Sequence, residues 1–228
     1  MRFLSRALFI LCLSVYGAEA HAQSAESVQP GLADRAAAYH AFMLGRSLEG
    51  AGDLDGAVAS YTQATQLDPS ASGIWAELAA LYARRSQPDE AIVAGSAALD
   101  LDQNDKDAHR ILGLVYAARA GSQDSQDSQV EADVELAVEH LERARNPVLP
   151  DAGLYLTLGR LYVATGQTED AIEVLTEVLE AEPQFTQALA MLAAAHEARS
   201  EWSAAVATYE RAVLLSPRRA RYRRRLAA

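Results

Sequence analysis

Large and small apolar residues follow one another along this chain in a fixed order. From Leu44 the order is Leu44, Gly45 and Leu48, then Ala57, Tyr61 and Ala64, then Pro69. Residues three and four apart share one face of a helix, so each group of three predicts a helix. The polar stretch between the groups contains Gly52, and Gly166 holds the same place later on. Glycine adopts positive φ easily, so both mark turns between helices. Pro69, Pro183 and Pro217 predict helix stops, because proline lacks the donor N–H and clashes with the preceding turn.

The order repeats every 34 residues. Leu78, Ala79, Tyr82, Ala91, Gly95, Ala98 and Gln103 follow the first series, and only Gly95 and Gln103 change class. Leu158, Gly159, Tyr162, Ala171, Leu175 and Pro183 step to Leu192, Ala193, His196, Ala205, Tyr209 and Pro217. A third copy starts with His109, Leu112, Gly113 and Tyr116 and ends with Ala137, Leu141 and Ala144. Here Ala137 follows Tyr116 by 21 residues, where Ala171 follows Tyr162 by nine. The twelve extra residues fall near 119–130, around the tract GSQDSQDSQ. That tract is polar, repetitive and without apolar period, so it is expected to form a flexible loop, either a binding loop or a tolerated insertion.

Large-x-x-Leu-Gly/Ala-x-x-Tyr, then Ala-x-x-x-aromatic-x-x-Ala, then Pro, at this period, resembles the tetratricopeptide repeat (TPR) family. The resemblance implies an all-α fold, a right-handed superhelical solenoid of antiparallel helix pairs. Five repeats are expected at about 38–71, 72–105, 106–151, 152–185 and 186–219, within a solenoid spanning 34–217. A partial capping helix would follow, with Leu226 in register with Leu192. Gly45, Ala79, Gly113, Gly159 and Ala193 would be small so that each first helix approaches its second closely. Ala57, Ala91, Ala137, Ala171 and Ala205 would serve the same contact from the other side. One hairpin cannot bury its apolar face alone, so the stack shares one continuous core.

The ends read differently. Arg2 and Arg6 precede the apolar run ALFILCLSVY, and small residues follow it, the three parts of a secretory signal peptide. Cleavage is expected after Ala22 or Ala20, leaving a linker at 23–33 and a periplasmic or secreted protein. The run is shorter than the ~20 residues that span a bilayer. Leu11 precedes the single cysteine, Cys12, where lipid attachment requires a small residue. The chain carries −11, but residues 1–22 contribute +1 and the six arginines of 218–228 contribute +6, which leaves −18 for 23–217. This basic tail reads as a capping helix, or as an arm for anionic lipid or an acidic protein. Nucleic acid is the least fitting partner for so acidic a body.

Candidate chemistry is sparse. His40, His109, His140 and His196 are scattered at no ligand spacing, and His109 and His196 stand where core aromatics belong. There is no H-E-x-x-H, phosphate loop or G-x-S-x-G elbow. No enzyme activity, cofactor or metal is expected. The resemblance implies instead a protein or peptide segment held on a concave wall of first helices. Carried over by repeat position, the wall is Tyr39, Phe42 and Arg46; Ala76, Ala80 and Arg84; Arg110 and Leu114; Leu156, Arg160 and Val163; and Gln187, Ala190 and Ala194. The Lys and Asn of the carboxylate-clamp subtype are missing. The four arginines either take a ligand's carboxylates or pair with neighbouring acids. The expected function is a scaffold or adaptor in envelope assembly, secretion or maturation. The alternatives are a non-catalytic subunit of an envelope enzyme and a membrane-surface protein tethered by its tail.

Overall fold

The computed structural model describes residues 30–122 and 127–217. The expected signal segment, most of the linker and the basic tail, with Leu226, lie outside the described residues. Within them are ten helices and no strand: α1 (Leu32–Gly50), α2 (Leu54–Leu67), α3 (Ser72–Arg84), α4 (Pro88–Leu101), α5 (Lys106–Ala120), α6 (Asp127–Ala144), α7 (Ala152–Ala164), α8 (Thr168–Ala181), α9 (Thr186–Ala198) and α10 (Trp202–Leu215). α1 begins two residues ahead of the expected solenoid start. No helix among the described residues is long and apolar enough to cross a membrane.

The helices pair as α1/α2 through α9/α10, and each pair packs on the next. α3 also touches α5, α5 touches α7 and α7 touches α9. The first helices therefore form an inner layer of the solenoid, and the second helices stand outside it. The small residues are where this geometry needs them. Ala57, Ala79, Ala91, Ala137, Ala171 and Ala193 have no exposed surface. A Cβ built on Gly45 would sit 2.5 Å from the Tyr61 ring, and one on Gly159 would sit 2.9 Å from Leu175. Those are separations real side chains do not reach, so glycine is what allows the two helices to touch.

The turns share a backbone device. Gly52 and Gly166 have φ of +83° and +78°. One period after each, Ser86 and Ser200 hold the same left-handed conformation at 58° and 61°. Asp53, Asp105 and Asp151 cap α2, α5 and α7, their side chains accepting from Gly56, Ala108 and Leu154 N–H at 2.9, 3.0 and 2.8 Å.

The insertion departs from the expected loop over 119–130. Residues 119–120 end α5 and residues 127–130 begin α6, which has 18 residues where α2, α4, α8 and α10 have 14. The physical reason is an apolar face that runs on into the insertion, with Val130 half-buried one turn before Val134, which packs on the core. Arg119, at the end of α5, grips Asp133 of α6 with two bonds of 2.8 and 2.7 Å. Asp133 is 1% exposed. Val130 and Val134 continue the inward face of α6 back toward this clamp, so added residues extend the hairpin instead of slackening the turn.

Candidate functional site

The inner layer opens between α1, α3 and α5 into a cleft of about 600 Å3. Tyr39, Phe42, Ala76, Ala80 and Arg110 of the expected wall line it, together with Ile74 and Ile111. Tyr39 is 65% exposed, and Phe42 is half-buried with its ring stacked 5.5 Å from that of Tyr61. Ala76 lies behind the surface, packed against Ala98 and Ala108. The polar lining is mixed: Arg35 and Arg110 face Asp68, Glu77, Asp105 and Asp107.

Farther along the stack, Leu114, Leu156, Val163, Ala190 and Ala194 are half-buried, and Gln187 is exposed. They continue an apolar strip outside the cleft. The four arginines differ in their surroundings. Arg46 meets Glu77 at 2.8 Å, Arg84 pairs with Glu49, and Arg110 is 3.9 Å from Asp107. Those three are already paired with acids of the chain. Arg160 is exposed and makes no ion pair among the described residues.

Several interactions were not anticipated from sequence. Tyr61 donates to Glu49 at 2.8 Å, and Tyr209 donates to Glu197 at 3.3 Å in the equivalent place of the last pair. Tyr162 donates to Glu142 at 2.7 Å. Burial, followed by the adjoining carboxylate, pushes the Tyr61 and Tyr162 hydroxyls above their ordinary range. Arg145 gathers Glu142, Glu173 and Glu177 at 2.8, 3.1 and 2.6 Å. Burial opposes its charge, and the three carboxylates more than offset that opposition.

The histidines expected to be scattered are partly brought together. His109 and His140 meet Nδ1 to Nδ1 at 2.9 Å. His109 Nε2 is 3.1 Å from the Gln103 carbonyl and must donate to it. In the neutral pair His109 Nδ1 therefore accepts from His140 Nδ1–H. His109 is buried as a packing residue would be, whereas His196 is half-buried and bonded to Glu201 at 2.7 Å. No group of three or more metal-ligand side chains occurs among the described residues.

Sequence models of the tetratricopeptide repeat match residues 42–106, 131–194 and 162–228, well over half the chain. The chain belongs to the tetratricopeptide repeat family. No curated protein sequence matches it. Among solved structures, this TPR chain is similar to the MamA protein, with 24% identity, 82% of this chain and 95% of that one covered, and a TM-score of 0.66. It is similar to YrrB, described as a TPR protein with an unusual peptide-binding site, at 18% identity, 84% and 92% coverage and a TM-score of 0.68. It is also similar to PilW, described as a widely conserved type IV pilus biogenesis factor, at 19% identity, 78% and 77% coverage and a TM-score of 0.59. At these identities the likeness establishes the shared fold.

Proposed function

We propose that this chain is an exported scaffold that holds a segment of a partner protein along its inner face, serving assembly, secretion or maturation in a bacterial cell envelope. The observation that carries the reading is the cleft between α1, α3 and α5. Tyr39 and Phe42 offer aromatic surface there, a residue type that anchors interfaces, and nothing of the described chain covers it. The half-buried strip from Leu114 to Ala194 extends the same wall, and Arg160, with no ion pair among the described residues, supplies a cation along it. Export rests on the charged start and apolar run of residues 1–22. YrrB, a TPR protein with a peptide-binding site, supports the binding part of the proposal, and PilW, a type IV pilus biogenesis factor, supports the assembly part.

The test is capture of partners from an envelope fraction. Wild type should recover a protein that Tyr39→Ala/Arg160→Glu recovers at least about tenfold less, the loss expected when an aromatic anchor is removed. Equal recovery by the two would remove the inner face from the binding reaction.

A further inference from the structure

The outer side of the stack carries a second hollow, which the inner-face reading does not use. It lies between α2 and α4 and measures about 390 Å3. Its floor is α3, through Trp75, Leu78 and Tyr82. Val93 stands at its lip, 69% exposed.

The hollow is open for a reason visible in the repeat. Thr65 and Ala94 line it, and one period later the same two positions hold Leu99 and His140. In the next repeat they hold Arg145 and Val174. His140 stacks on Tyr116 with ring centres 5.7 Å apart, and Arg145 lies 6.0 Å from the centre of the Tyr155 ring. Those later gaps are filled by the chain's own side chains. Between α2 and α4 the residues are too small to do so, and the aromatic floor is left facing out.

The lining also selects its occupant. Trp75 already donates its indole N–H to the Pro69 carbonyl at 3.1 Å, so the ring face is what remains to be bound. The only charged lining residues are Asp89 and Glu90. Among the described residues Glu90 takes only an amide bond from Gln87, and Asp89 is 3.4 Å from Arg119. An apolar hollow with aromatic walls and two carboxylates at its rim favours an apolar or aromatic anchor flanked by cations. One stretch of this chain has that chemistry: residues 218–228, where Tyr222 and Leu226 stand among six arginines. The body of 23–217, at −18, attracts such a segment at longer range.

We propose that the hollow between α2 and α4 receives residues 218–228 of a second copy of this chain. Donor and acceptor surfaces differ, so the contact is heterologous and joins copies head to tail.

The test uses the full chain and a peptide of residues 216–228. Trp75 is one of two tryptophans, and Trp202→Phe leaves it as the sole tryptophan, excited selectively beyond the tyrosine absorption band. The peptide should change Trp75 emission saturably. Thr65→Leu, which restores the side chain found one period later, should weaken that binding at least about tenfold by filling the space. High salt should weaken it too. In sedimentation the full chain should associate as concentration rises, and both Thr65→Leu and deletion of 218–228 should leave monomers. If Thr65→Leu fails to fold, Ala94→Val takes its place. Three results would overturn the proposal. One is a folded plugged variant that binds peptide as wild type does. Another is a full chain that stays monomeric at high concentration. The third is a deletion that lowers the melting temperature but leaves association unchanged, as a tail that only caps α10 would.

Discussion

At the scale of single residues, one backbone conformation recurs with two different side chains. Gly52 and Gly166 reach positive φ without strain, while Ser86 and Ser200 carry a Cβ into the same region. A left-handed residue with a Cβ costs about 1–2 kcal/mol. Ser86→Gly and Ser200→Gly should each raise stability by about 0.5–1 kcal/mol, after glycine's own entropy cost. Urea unfolding would measure it, and a loss of stability would show that the serine side chains hold the turn. The reverse holds at the helix contacts. Gly45→Ala drives a methyl into Tyr61 and should cost ~1–3 kcal/mol, whereas Gly73→Ala meets nothing within 4 Å and should be neutral or better.

The His109–His140 bond gives a pH dependence. Burial, then the charge of His109, lowers the His140 pKa, with Glu139 opposing and Arg143 adding to the shift; Tyr116 stacks on the ring. The unfolded chain therefore takes up the proton first as pH falls through about 6.5. Stability should be full above that pH and decline below it. The melting temperature of wild type should fall more between pH 7.5 and 5.5 than that of His140→Gln. An equal fall in both would locate the acid sensitivity elsewhere.

At the scale of helices, the sequence was most legible where size alone decides. Alanines, glycines and prolines at one period gave the pairs, the turns and the stops, because close contact and chain termination depend on residue type. The inserted tract was misread because its composition is that of a loop. What made it helix was the apolar face through Val130 and Val134; the clamp of Arg119 on the buried Asp133 has counterparts at Arg85–Gln87 and Arg199–Glu201. Arg119→Ala strands that buried carboxylate and should cost about 3 kcal/mol, while Arg85→Ala breaks a pair with the exposed Asp55 and a bond to the neutral Gln87, strands no charge, and should cost about 1 kcal/mol. Denaturant curves of the two variants would separate them. One regularity is visible in the sequence alone. Arg85, Arg119 and Arg199 reach back 30 residues to Asp55, Asp89 and Glu169, and Thr165 is the only break in that series. The wall arginines were not decidable in advance: whether Arg46 or Arg110 is paired depends on which acid the neighbouring helix presents.

At the scale of the whole molecule, the buried apolar residues among those described fall into three clusters where one continuous core was expected. One apolar cluster joins α2 to α5, another runs from α5 to α10, and α5 contributes to both. Repeat stacks distribute stability between neighbours, so damage should stay near its source. Ala171→Leu, which overpacks the α7/α8 contact, should lower hydrogen-exchange protection in α7–α10 and leave α2–α4 near wild type. A uniform loss would mean that the stack unfolds as a single unit.

The lengthened hairpin changes the outline of the stack. α6 starts ten residues before Ala137, whereas α8 starts three before Ala171, so seven added residues carry it about 10 Å beyond the other outer helices at that end. All the turns between paired helices lie on that same edge, so the rim is a ridge with one raised tooth. A flat neighbour laid along it would rock on that tooth, and a stable side-by-side contact there requires a notch in the other body to receive it.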